Sequence, residues 1–202
     1  MKVIIIGRGP SVLKCTKDFV DKHDMVVVVN KFVFKGYEEF VGERADIQFR
    51  NKGCTNFSRH EILTLKLKEI IYTHESGGYP SYPEHYNGVK ITIPSPTLRR
   101  QMAKEIDFDP SSGIIALWYM INNYDISELS IVGFDFYVVG TKPYYFALKD
   151  TDKKMRHLWS KVYRGDKINV PSGHNTEKSI AYVKKVIREN NHIKFNIISN
   201  AF

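Results

Sequence analysis

Cysteine is nearly absent: Cys15 and Cys54 are the only two in 202 residues. Two thiols make neither a disulfide framework for a chain of this size nor a zinc site by themselves, so both are read as reduced. No run approaches the roughly 18 apolar residues that a membrane-spanning helix needs. The aliphatic stretch Val3–Ile6 is shorter than the ~7–15-residue core of a secretion signal and leads into Gly-Arg-Gly-Pro rather than a small-residue cleavage site. A cytoplasmic location is therefore expected. There is no block of like charge, no internal repeat and no low-complexity tract. Zinc-finger and aromatic RNA-binding patterns are missing too, so nucleic acid is not an expected partner.

What the chain does have is a positive excess. Thirty Lys and Arg against 22 Asp and Glu give a formal charge of +8. That favours an anionic partner, such as a nucleotide, a phosphorylated glycan or an acidic membrane surface. The charges are scattered, which limits membrane contact to a peripheral one. The length suits a single domain over 1–202.

Uninterrupted β-branched runs read as buried strands: KVIIIG at the start, MVVVVN closing on Asn30, ADIQFRN closing on Asn51, then LSIVGFDFY and IKFNIIS. Ser11–His23 fits a helix with Ser11 as its cap. Glu61–Tyr72 reads as helix or strand, with EIIYTH a strand at its end. Further helices are expected at Thr97–Ile106, from Ser111 or Ser112 to Asn123, at Lys153–Val162 and at Glu177–Asn190. From Ser76 to Pro96, Gly, Pro, Ser and Tyr dominate, and the segment reads as a loop or lid. Strands alternate with helices, so the expected fold is α/β with a largely parallel sheet.

In such sheets ligands bind beyond the carboxyl ends of the strands. Gly7-Arg8-Gly9-Pro10-Ser11 follows the first strand, Asn30 the second and Asn51 the third. Ser111-Ser112-Gly113 precedes the long helix, and Asp135 and Tyr137 follow LSIVG. Each has two readings. The glycines serve a tight turn or a backbone approach to phosphate. Asn30 and Asn51 are turn formers or ligand groups. Ser111-Ser112-Gly113 is an N-cap, a cradle, or both. Tyr137 is a core aromatic or a phosphate donor. Asp135 reads as structural, bonding nearby backbone.

Taken in order, VIIIGRGPSVL, VVVVNKFVF, IQFRN, PSSGIIALWYMI, ELSIVGFDFY and GHNTEKSIAYVKKV resemble the bacterial single-domain sialyltransferases and, more distantly, the animal ones. The resemblance spans Val3 to Phe202. It implies a Rossmann-like α/β fold, the GT-A-like sialyltransferase variant, here with a reduced lid over residues 76–96. It implies transfer of sialic acid from a CMP conjugate to a glycan or glycolipid hydroxyl, with inversion, no required metal and no cofactor. Gly7, Gly9 and Ser11 would lie beside the nucleotide, and Asn30, Asn51, Ser111, Ser112 and Gly113 would hold the donor. Tyr137, with Tyr144 or Tyr145, would meet the phosphate, and His174 would be the general base. Arg8 stands where the family usually has asparagine, and Asp109-Pro110 where it has arginine. Arg8 is thus expected to supply the charge for phosphate or carboxylate. These differences also leave room for a related ulosonic acid such as Kdo.

Tyr79, Tyr82 and Tyr86 are candidates to stack on an acceptor sugar, and a neighbouring subunit could cover the short lid. His60, His74 and His85 lack a ligand pattern and read as surface or acceptor-loop residues. Asp107–Asp109 and Asp150–Asp152 each match a short Asp-x-Asp pattern, but no metal site is expected. Two other functions remain at this point. One is a pterin pyrophosphokinase-like enzyme using ATP and magnesium through Asp107 and Asp109, which shares the GxGPS opening. The other is a silent nucleotide-binding module.

Overall fold

Strands β1 (Lys2–Ile6) and β2 (Met25–Val29) carry apolar side chains at successive positions because both of their faces are covered. In the computed structural model, which describes residues 1–51, 66–73, 85–86, 88–92, 96–136, 144–145 and 175–202, they form the middle of one sheet. The other strands are β3 (Ile47–Arg50), β4 (Glu69–Tyr72), β5 (His85–Tyr86), β6 (Val89–Thr92), β7 (Glu128–Val132) and β8 (Lys194–Ile198). Their order is β5-β6-β4-β3-β2-β1-β7-β8. β5 pairs antiparallel with β6, and the other seven strands run parallel.

Alternate side chains feed two cores. Val3, Ile5, Val27, Phe49, Ile71 and Ile131 point towards helices α3 (Pro96–Ile106), α4 (Ser112–Asn123) and α5 (Thr176–Glu189), where they meet Met102, Leu117, Met120 and Val183. Ile4, Ile6, Val26, Val28, Ile70 and Tyr72 point the other way. They meet Val12 from a 3-10 turn (Pro10–Lys14), Val20 from α1 (Lys17–Asp21) and Val41 from α2 (Glu38–Val41). Burying each such side chain contributes about 1.5–3 kcal/mol. Truncating Leu117, fully enclosed, to alanine would cost about 2–5 kcal/mol.

The chain builds outward from β1 through β2, β3 and β4 to β6, then returns to the other side of β1 for β7 and β8. The order therefore reverses between β1 and β7, where a ligand crevice opens in folds of this kind.

Two expectations are corrected. Ser11–His23 is not one helix but the 3-10 turn followed by α1. Thr16 sits extended between them and caps α1 by accepting from the Phe19 amide at 3.2 Å. Ser11 accordingly caps nothing. The 76–96 segment is not all loop, since β5 and β6 lie in it. Val89 and Ile91 face inward while Lys90 faces out, a period-two pattern masked by the Gly, Pro and Tyr around it. The expected helix at Lys153–Val162 lies outside the described residues.

Candidate functional site

At the β1/β7 reversal the main chains touch. The Gly7 amide donates to the Val132 carbonyl at 2.7 Å and the Gly9 amide to the Gly133 carbonyl at 2.9 Å. A Cβ on Gly7 would overlap the Gly133 carbonyl, and one on Gly9 the Asp135 carboxylate. Gly133, at φ 72°, has room for none either, with Val12 Cγ2 2.5 Å from where it would stand. Internal packing thus accounts for the glycines by itself, and their pattern alone does not argue for a ligand.

Asp135, 3% exposed, binds the crevice walls together. One carboxylate oxygen accepts from the Ser11 amide at 2.8 Å, the other from the Asn200 amide at 2.7 Å and the Ser199 hydroxyl at 3.3 Å. The Ser11 hydroxyl donates to the Ile198 carbonyl at 3.1 Å. Asp135 does bond backbone, but its partners are distant in sequence.

Arg8, between the two glycines, extends over Tyr144. Its guanidinium carbon lies 4.3 Å from the ring centroid, and Nη2 donates to the Tyr144 hydroxyl at 3.3 Å. The Arg8 carbonyl accepts from the Tyr145 amide at 3.0 Å. Among the described residues no carboxylate is within ion-pair distance of Arg8. A half-buried guanidinium held by an aromatic face can donate in a fork to an anion such as a phosphate or carboxylate.

Tyr145 differs from its neighbour. Its hydroxyl donates to the Val33 carbonyl at 2.6 Å and accepts from the Val33 amide at 3.2 Å. Its ring packs on Phe32 and Tyr37, with centroids 5.7 and 5.0 Å away. Burial pushes its phenol well above the ordinary value. Its one proton already has an acceptor, so of the two candidates Tyr144 is the one placed beside Arg8.

The ends of β2 and β3 bring the asparagines together. Asn30, at φ 56°, accepts the Asn51 amide on its Oδ1 at 3.0 Å. Its carbonyl accepts from Gln48 Nε2 at 2.7 Å, and Gln48 Oε1 in turn accepts from Arg50 Nε at 2.9 Å. Asn51 Oδ1 is buried with no hydrogen-bond partner among the described residues. Gln48 and Arg50 were not anticipated. Their signal is a polar residue at each alternate position of the strand IQFR, all four of which are buried.

Next to them, the Thr73 hydroxyl bonds the Arg50 carbonyl at 3.2 Å and lies 3.3 Å from the Ser112 hydroxyl. Ser111 caps α4, accepting from the Ile114 amide at 3.4 Å, and the Phe134 ring fills the space at Gly113, 3.1 Å from where a Cβ would stand. The N-terminal end of α4, with its partial positive charge, thus reaches the same edge as Asn51. Phe136 holds a positive φ of 46°, and its carbonyl accepts from the Thr176 hydroxyl at 2.7 Å. Asn175 caps α5 by accepting from the Lys178 amide at 2.8 Å.

Tyr137, His174, Tyr79 and Tyr82 lie outside the described residues, as do Cys54, His60, His74, Asp150 and Asp152; Tyr86 is described as part of β5. Asp107 is exposed and paired with Lys178 Nζ at 2.7 Å, a hydrogen bond that holds its carboxyl below the ordinary value. Among the described residues, no group of three or more His, Cys, Asp or Glu could hold a metal ion. No described helix is long and apolar enough to cross a membrane.

No family model and no curated protein matches the sequence. Solved structures do match the fold. The sialyltransferase CstII from Campylobacter jejuni, in complex with cytidine-5'-monophosphate, superposes with a TM-score of 0.66 at 15% identity, over 98% of this chain and 80% of that one. The monofunctional alpha-2,3-sialyltransferase Cst-I from the same organism gives 0.63 at 20% identity, covering 99% and 76%. A mammalian sialyltransferase gives 0.60 at 15% identity, covering 96% and 68%. The chain has the sialyltransferase fold, a Rossmann-like parallel sheet flanked by helices, along almost its whole length.

Proposed function

We propose that this chain is an inverting, metal-independent glycosyltransferase that moves sialic acid or a related ulosonic acid from a CMP-activated donor to a glycan hydroxyl. The observation that supports it most is Arg8: a guanidinium with no carboxylate partner among the described residues, stacked on Tyr144 at the sheet's reversal point, in a fold shared with CMP-bound CstII. The paired asparagines and the N-terminal end of α4 stand along the same edge.

In this reading Asn30, Asn51 and the Ser111-Ser112-Gly113 turn hold the donor. The bond from the anomeric carbon to the phosphate oxygen stretches towards an oxocarbenium-like state, and CMP leaves with the electron pair. Arg8 and the Tyr144 phenol, joined by Tyr137, donate to the departing phosphate and stabilise its growing charge. His174 takes the acceptor hydroxyl proton as the oxygen attacks the opposite face of the sugar, a task suited to histidine because imidazole exchanges protons near neutral pH. Tyr79, Tyr82 and Tyr86 would offer faces to the acceptor glycan. No cofactor is required.

Calorimetric titration with CMP, UDP, GDP and ATP, each with and without magnesium, tests the donor class. Selective CMP binding that ignores magnesium is expected, followed by breakdown of CMP-sialic acid that is lost in His174→Ala. ATP binding that needs magnesium, with no CMP signal, would overturn the reading. So would CMP binding with equal donor breakdown in wild type and His174→Ala, which would leave a nucleotide-binding module.

A further inference from the structure

Gln48 is 2% exposed inside a parallel sheet, where an aliphatic side chain would ordinarily stand. Both ends of its amide are engaged. A guanidinium can only donate and a carbonyl can only accept, so the contacts with Arg50 Nε and the Asn30 carbonyl fix which end is oxygen and which is nitrogen.

The need for that nitrogen comes from Asn30. β2 runs in register with β3 as far as Val29 opposite Phe49, and the Asn30 amide still donates to the Phe49 carbonyl at 2.6 Å. Asn30 then turns left-handed at φ 56°, and its carbonyl is met by a side chain instead of a neighbouring strand. The same turn aims Asn30 Oδ1 at the Asn51 amide, 3.0 Å away. Arg50, itself 3% exposed, backs Gln48 from the end of the strand that delivers Asn51.

We propose that Gln48, braced by Arg50, is a positioning residue: it holds Asn30 in its left-handed turn and so sets the spacing of the Asn30–Asn51 pair that takes the nucleotide donor. The inference rests on the reading of those asparagines as donor-binding groups. It predicts an effect on donor affinity rather than on the chemical step, since Gln48 lies behind the asparagines and does not itself reach the substrate.

The test uses the full chain with Gln48→Leu, which removes both contacts, and Gln48→Glu, which keeps shape and the acceptor for Arg50 but turns an oxygen towards the Asn30 carbonyl. At a temperature where each variant is fully folded, CMP dissociation constants should rise about tenfold for leucine and at least as much for glutamate. KM for the CMP-sugar should rise with kcat near the wild-type value. Hydrogen exchange at the Asn51 amide, read by NMR without ligand, should quicken in both variants. Unchanged CMP affinity and unchanged Asn51 exchange would reduce Gln48 to packing and overturn the proposal. A kcat loss at unchanged KM would overturn it as well. If wild type does not bind CMP, the donor reading falls, while the exchange measurement still decides the positioning role. Should Gln48→Leu fail to fold, Gln48→Glu carries the test alone.

Discussion

The two edges of the sheet treat charge in opposite ways. At the amino ends of the strands carboxylates are common, and each has a donor from the next strand. Asp24 accepts the Lys2 amide at 2.7 Å, and buried Asp46 accepts the Val26 amide at 2.9 Å while Lys68 pairs with it at 2.8 Å. Lys90 pairs with Glu69 at 3.2 Å and Lys194 with Glu128 at 3.5 Å. Asp46, Glu69 and Glu128 are thus each neutralised by a lysine on or beside the neighbouring strand. At the carboxyl ends, Asp135 is the one carboxylate among the described residues that closely follow a parallel strand, and main-chain amides consume it. Arg8 has no acid beside it among the described residues and meets the Tyr144 ring and hydroxyl. Among the described residues the first edge pairs Asp46, Glu69 and Glu128 with lysines, whereas the second spends its one acid on main-chain amides and leaves Arg8 without one.

The largest expected effect removes that one acid. Asp135→Ala leaves the Ser11 and Asn200 amides without their acceptor, at about 1–3 kcal/mol each where buried, while the Ser199 hydroxyl keeps the Phe134 carbonyl at 2.8 Å. Urea unfolding should show a loss of roughly 3–5 kcal/mol. A loss near zero would mean that water replaces the carboxylate and that the walls are not pinned.

Next comes Arg8. Arg8→Ala should weaken CMP binding by about 10–100-fold, the worth of a charge-assisted bond of about 1.5–3 kcal/mol, while stability falls by less than about 1 kcal/mol. Lys68→Met at the opposite edge should do the reverse, leaving CMP affinity unchanged and costing about 0.2–1 kcal/mol of stability, since Lys68 is largely exposed. Equal losses of CMP affinity from both substitutions would erase the distinction between the edges.

How much of this was legible depends on how far apart the partners lie in the chain. β1 and β2 could be read because burial on both faces leaves a local mark, an unbroken β-branched run. The Gly7–Gly9 turn could be read too, though not its cause: the atoms that exclude a Cβ there belong to Gly133 and Asp135, 126 positions further along. Gln48 and Arg50 alternate with Ile47 and Phe49, and a strand so patterned ordinarily shows its polar side to water. Here that side faces the layer containing Phe32 and Tyr145, and nothing local in IQFR announces the cover. Tyr144 and Tyr145 were equivalent as letters. Only the fold sends one to Arg8 and the other to Val33.

The smallest effect sharpens the amino-terminal edge through pH. Burial tends to raise the Glu128 carboxyl, but the Asn196 amide at 2.8 Å and the Lys194 ammonium outweigh it, and the group is held below its ordinary value of 4.5. A carboxyl whose pKa is lower folded than unfolded contributes stability above the unfolded value and loses it as the pH falls through the folded one. Stability should therefore decline below about pH 4.5, with Glu128 contributing part of the slope. In Glu128→Gln that part disappears, so the gap in melting temperature between wild type and variant should narrow as the pH drops from 6 towards 3. Neither protein should change its CMP affinity at pH 7, because this carboxylate stands at the edge away from Arg8. A gap that widened on acidification would mean that Glu128 is held protonated by burial, and the amino-terminal edge would then not be the self-neutralised one.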